Sequence, residues 1–279
     1  MGWLTFTFSL QKKFEALFGE KLEVIRMQQQ QENLKFMSHF KEGLIIKKGS
    51  RRQSKQPNWK AGPEFFHIRS NGSALCRRCI EVQPDSSSLN SCFVYILKVP
   101  FDPQDKSGIV YVWIGSKANP DDAPVAEEIV QNLYDPERFS QQILNEGEEP
   151  NNFFWVGLNG KKPYEKEAIF MNHGRLFRCS NEKGYFTVSE KCSDFCQDDL
   201  ALDDIMILDT GEHVFLWMGP RCSEVEVKLS YKSAQVYIQN LRAKQPEKSR
   251  KLFLTIMGKE SKRFTRCFHG WSNTKAVPR

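Results

Sequence analysis

Cysteine and histidine are the residues here most able to do chemistry. The 279-residue chain carries eight cysteines and five histidines. Cys76 and Cys79 form a C-R-R-C, and Cys192 and Cys196 stand four apart. Such pairs can hold zinc, but a zinc centre needs two pairs drawn to one ion, or a completing pair of histidines. The two pairs are over a hundred residues apart, and no histidine pair completes either. Reduced, partly buried thiols of a cytosolic protein are the expectation. His67, His173, His213 and His269 are scattered, and none shares a motif with a nucleophile. Ser230 and Tyr231 fall on a helical pattern, and no Gly-rich phosphate loop occurs. No enzyme active site is predicted.

Charge narrows the classes further. The net charge is +6. Residues 41–60 (KEGLIIKKGSRRQSKQPNWK) hold seven Lys or Arg and one Glu, so this run supplies the excess and the rest is near neutral. It reads as a solvated linker, with acidic phosphoinositide headgroups or an acidic protein surface as the alternative partners. No recognition motif accompanies it, so nucleic acid is not expected. No run of about 18 apolar residues occurs, so no transmembrane segment is predicted. The opening MGWLTFTFSLQKK places its positive charge after the apolar stretch and is not read as a signal peptide.

The elements that position these residues recur along the chain. VYVWIG (110–115) answers VFLWMG (214–219), with Trp113 and Trp217 104 residues apart. After each comes a polar turn and an amphipathic helical face: Ala126, Ile129, Val130 and Leu133 in one copy, Ala234, Tyr237, Ile238 and Leu241 in the other. Leu10, Phe14, Leu17 and Phe18 give a third such face. Each helix leads to a short apolar strand and then to a Glu with an aromatic four residues later. The pairs are Glu32–Phe36, Glu149–Phe153 and Glu260–Phe264, spaced by 117 and 111 residues. Upstream, FVYILKV (93–99) answers DIMILDT (204–210), and FFHIRSN (65–71) answers RLFRCSN (175–181). Thr210-Gly211 predicts a hairpin turn between two strands.

Each full copy is therefore several strands, a long helix, a strand and a short helical end, an α/β sheet with helices packed on it. The expected layout is a truncated repeat over 1–48, a basic linker over 49–62, a full repeat over 63–160, a linker over 161–173 and a full repeat over 174–279. The first copy begins at its long helix and lacks a parent sheet, so its apolar face is expected to be mobile or to dock on a neighbour.

The V-x-W-x-G strand, the long helix after it and the E-x-x-x-F ending together resemble the gelsolin homology repeat. The resemblance covers nearly the whole chain, and the copies look like the end of a fourth repeat followed by a fifth and a sixth. It implies tandem gelsolin-like repeats, each a central mixed sheet flanked by a long and a shorter helix. It also implies binding of actin monomers and filaments, often under calcium control, and a cytoplasmic place at the actin cytoskeleton. One branch of the family is linked to nuclear coactivator complexes, which makes the nucleus a second expected location.

The resemblance also supplies a ligand set. A calcium in such repeats is held by an acidic residue at the strand start, the backbone carbonyl before it and a Glu nine residues after the strand tryptophan, hard oxygen donors of the kind calcium takes. Carried over, these are Asp204, Asp203 and Glu226, and one calcium site is expected in the last repeat. Glu226 can equally close a capping box with Ser223, and Asp203 and Asp204 can be a polar strand entrance. In the middle repeat the positions read Cys92, Phe93 and Asp122. Phe93 cannot coordinate a cation, and Asn119-Pro120 resembles an ordinary helix start, so that site is expected to be lost or weak. After Trp271 only SNTKAVPR follows, with no acidic residue, so an acidic latch and strong calcium gating are not expected. Two functional readings remain open: an actin-binding module that regulates the cytoskeleton without severing filaments, and a protein-interaction scaffold with residual actin contact.

Overall fold

The computed structural model describes residues 3–21, 23, 25, 27, 32–40, 44–48, 60–69, 77–181, 184–191 and 195–272. The strand expected just before Glu32, most of the basic run, Cys76, Cys192 and the tail after Ser272 lie largely or wholly outside the described residues.

Two mixed sheets carry the structure. The first element is a helix, α1 (Trp3–Phe18), followed by the short α2 (Leu34–Met37) and β1 (Leu44–Ile46). The middle repeat supplies β2 (Glu64–Arg69), β3 (Arg78–Val82), β4 (Val94–Pro100), β5 (Gly108–Ile114), α3 (Asp122–Leu133), β6 (Phe139–Asn145) and α4 (Phe153–Gly157). After α5 (Ile169–His173), the last repeat gives β7 (Arg175–Ser180), β8 (Thr187–Lys191), β9 (Ile205–Asp209), β10 (His213–Met218), α6 (Glu224–Lys244), β11 (Lys251–Ile256) and α7 (Lys262–Thr265). The strand orders are β1-β3-β2-β4-β5-β6 and β11-β10-β9-β7-β8. In both sheets the long helix is a crossover between parallel strands, β5 to β6 and β10 to β11. The expected hairpin joins β9 to β10 through Thr210 and Gly211, whose φ of +86° suits glycine.

The repeated motif has a physical basis in each copy. Trp113 and Trp217 are 0% and 1% exposed. A buried indole N–H needs an acceptor. Trp113 Nε1 donates to Glu149 Oε1 at 2.8 Å, and Trp217 Nε1 donates to Glu260 Oε1 at 2.9 Å. The glutamate of the E-x-x-x-F ending is thus the lock for the tryptophan of the central strand. The glycine after each tryptophan is set by close approach: a Cβ on Gly115 would meet Ser91 O at 2.3 Å, and one on Gly219 would meet Leu202 O at 2.3 Å.

The aromatic half of that ending differs between copies. Phe264 is fully buried, as its position predicts. Phe153 is not: it is 46% exposed against Phe101, and the next residue, Phe154, fills the core. The middle ending is one residue longer than the last.

Among the described residues, no tryptophan meets Glu32 as Trp113 and Trp217 meet their glutamates. The Glu32 carboxylate lies instead 3.3 Å from Arg78 Nη2 of β3, with both side chains buried. A few residues on, β1 pairs in parallel with β3, so residues 44–46 extend the middle sheet. The apolar face of α1 stays uncovered: Leu10, Phe14, Leu17 and Phe18 are 40–75% exposed.

The two repeats share one apolar core, which runs from Phe65, Tyr95 and Trp113 to Trp217, Phe264 and Phe268. Arg69 ties them: its guanidinium lies over Phe93 and Phe170 and donates to Cys267 O at 3.0 Å. Beside it, His269 Nε2 meets His67 O at 3.0 Å, with the two imidazoles edge to face. Of the scattered histidines, two are therefore packed into the repeat junction.

Candidate functional site

In the last repeat, the residues of the expected ligand set stand at two element ends, Asp203 and Asp204 just before β9 and Glu226 in the first turn of α6. Asp204 sits at the entrance of β9, and its carbonyl accepts from Cys222 Sγ at 3.1 Å. Burial raises the Cys222 thiol, and Glu226, Asp204 and Asp203 raise it further. The Cys222–Asp204 contact joins the strand entrance to the turn before α6.

The acids are already engaged. Asp204 Oδ1 accepts from Arg178 Nε at 2.9 Å and lies 2.8 Å from Arg178 Nη2. Glu226 Oε2 accepts from Ser223 N at 3.1 Å and Ser223 Oγ at 2.7 Å, while Glu226 N donates back to Ser223 Oγ at 3.2 Å. That is a complete capping box at the start of α6. Among the described residues, no group of three or more His, Cys, Asp or Glu side chains is close enough to grip a metal together. The donors have the hard-oxygen chemistry calcium takes, but a cation would have to draw Asp204 from Arg178 and Glu226 from Ser223.

In the middle repeat the same positions are arranged differently. Phe93 is 7% exposed and packs edge-on to His67. Asp122, 3% exposed, accepts from Arg77 Nε at 2.7 Å. Burial raises the Asp122 carboxyl, and Arg77 opposes that rise. The helix start expected at Asn119-Pro120 lies later. α3 begins at Asp122 after Asp121, which makes no side-chain cap, and Asn119 Oδ1 accepts from Asp121 N at 3.1 Å in a local turn. An arginine thus sits on the key acid in both repeats, Arg77 in one and Arg178 in the other. Neither was singled out in the sequence. Arg178 reaches Asp204 only because β7 pairs with β9, and strand neighbours that far apart in sequence leave no local signal.

Among the described residues the cysteines form no metal-holding group. Cys79 lies buried in β3 and Cys196 before the 3₁₀ turn at Gln197–Asp199, and burial pushes both thiols up to about 12. Of the basic run, Lys47 Nζ is 2.8 Å from Glu64, and Lys48 N donates to Glu81 at 2.7 Å.

The gelsolin repeat profile matches residues 78–154 and 186–265, one stretch in each sheet. The chain belongs to the gelsolin repeat family. Among gelsolin-repeat proteins, it is 66% identical to protein flightless-1 of Drosophila melanogaster over 278 residues, which is 99% of this chain and 22% of that protein. It is 59% identical to the Homo sapiens flightless-1 homolog, over 98% of this chain and 21% of that protein. Gallus gallus gelsolin is 35% identical, over 82% of this chain and 28% of that protein. The chain thus spans about a fifth of the length of the flightless-1 relatives. A solved complex of Thorarchaeota 2DGel3 with rabbit actin aligns over 75% of this chain and 100% of that one, at 19% identity and a TM-score of 0.30.

Proposed function

We propose that this chain is an actin-binding module of a flightless-like gelsolin-family protein and contributes to organising the actin cytoskeleton. The observation that carries the reading is the pair of complete repeats, each closed by its own tryptophan–glutamate lock, Trp113–Glu149 and Trp217–Glu260. Family membership and the high identity to flightless-1 proteins support it. Weak to moderate binding is expected for this chain on its own. Co-sedimentation with purified filaments and monomer binding with no other protein present test it. Saturable binding is expected, and no binding to either form would remove this reading.

One calcium in the last repeat is part of the same proposal. Asp204 and Glu226 would supply carboxylate oxygens and Asp203 its carbonyl, neutralising an acidic cluster that Arg178 now serves. Calorimetry is expected to give about one site, lost in Asp204→Ala. Two sites of similar affinity would count against the assignment of Phe93 as a block in the middle repeat.

A further inference from the structure

The two sheets can be aligned rung by rung through their tryptophans. In the middle repeat Trp113 faces Tyr95, Tyr95 faces His67 and His67 faces Ile80. In the last repeat Trp217 faces Met206, Met206 faces Arg178 and Arg178 faces Ser189. β3 and β8 are therefore equivalent, with Cys79 matching Val188, Phe66 matching Phe177, Ile96 matching Ile207, and Glu81 matching Glu190.

The outer edges of these two strands differ. β3 carries β1 in parallel, with Leu44, Ile45 and Ile46 opposite Arg78, Cys79 and Ile80. Ile45 packs on the cluster that includes Phe66, Cys79 and Ile96, which are only 1–2% exposed. β8 ends its sheet, and among the described residues no strand pairs with its outer edge. Val188, the counterpart of buried Cys79, is 44% exposed. A groove of about 610 Å³ opens where the side chain of Ile45 would lie. Its floor is Phe177, Val188 and Ile207, and α6 lines it with Leu229, Val236 and Tyr237.

We propose that the outer edge of β8 and this groove form a docking site for an extended peptide that adds a parallel strand, with an aliphatic side chain beside Val188 and an acidic residue just after it. Strand addition draws affinity from main-chain hydrogen bonds and specificity from pockets for alternate side chains. The occupant's shape is given by β1 on the equivalent edge of the same molecule. Its charge is given by a reversal between the repeats. The residue after β1, Lys47, pairs with Glu64. The rung equivalent to Glu64 is Arg175, which clamps Glu190 through two contacts of 2.7 Å, and Lys232 lines the groove. A lysine-flanked strand suits the middle edge, and an acid-flanked strand suits the last one. The site is independent of the actin reading.

The test uses the full chain and two synthetic eight-residue peptides with the sequence of residues 41–48. One keeps Lys47 and Lys48, and the other carries Glu at both places. The acidic peptide should bind saturably, slow amide exchange in residues 187–191 and lose binding in Val188→Asp and Val236→Glu, both exposed positions that leave the core intact. The lysine peptide should bind about two- to fivefold more weakly, the range of an exposed charge pair. Absence of saturable binding, protection at β6 or β11 instead, equal affinity for both peptides, or self-association of the chain through β8 would each overturn the proposal.

Discussion

The middle and last repeats use one plan and diverge at two places. Both bury a tryptophan from the strand before the long helix, and both give its indole N–H to a glutamate some forty residues on, at 2.8 and 2.9 Å. They differ in which acid an arginine holds: Arg77 holds Asp122 at the helix start of one, and Arg178 holds Asp204 at the strand entrance of the other. They differ again at the sheet edge, where β3 carries a sixth strand and β8, among the described residues, carries none. The shared features close each core, and the divergent ones lie at its borders: a buried acid and a sheet edge. A repeat can therefore change its buried ion pair and its sheet edge while the rest of its interior stays fixed.

The largest expected effect tests what the repeats share. Trp113→Ala and Trp217→Ala each empty a fully buried site and should cost about 3–5 kcal/mol. Glu149→Gln and Glu260→Gln keep an acceptor for the indole and should cost far less, about 1 kcal/mol. Urea unfolding measures both. Because the two repeats share a continuous core, loss of either tryptophan should shift one common transition. Separate transitions for the two repeats would break that expectation.

The second prediction concerns the junction. Burial, then the nearby Arg69, push the His269 pKa down to about 3, and burial, then His269 and Arg69, also hold the His67 pKa well below its ordinary value. In the unfolded chain a histidine takes up its proton near pH 6.5. Between pH 6.5 and about 3 the unfolded state thus binds more protons, so stability falls as pH is lowered through that window. His269→Phe should flatten the slope by about one proton. An unchanged slope would place the acid sensitivity elsewhere.

The smallest effect separates the two acid positions. Arg178→Gln should release Asp204 and strengthen calcium binding in the last repeat by about fivefold, on the order of 1 kcal/mol for a partly exposed ion pair. Arg77→Gln should create no site in the middle repeat, because Phe93 occupies the position of the second carboxylate. Calorimetric titration of both variants decides this, and a new site in Arg77→Gln would show that Phe93 is no barrier.

Some of the fold and of the candidate site was legible in the sequence. The V-x-W-x-G strands, the long helices and the glutamate after each are local patterns, and short-range periodicity records them directly. Asp204 and Glu226 were named by the family resemblance, and the structure engages them with Arg178 and Ser223 respectively. The aromatic after Glu149 that fills the core lies one residue beyond the four-residue spacing, because two phenylalanines stand side by side and packing selects Phe154. β3 and β8 gave weak signals, since five polar-rich residues become a strand only when a neighbour completes their hydrogen bonds.

The sequence by itself determined the repeats and their order, while the pairing of each tryptophan with its glutamate came from the structure. The tertiary structure alone decided that Glu32 pairs with Arg78 of the next repeat, and that arginines sit on both acids. It alone decided that β1 covers one sheet edge and leaves its equivalent open. The physical reason is range. Propensity and periodicity act over a few residues, whereas strand pairing and buried ion pairs depend on segments that meet only after the chain has closed on itself.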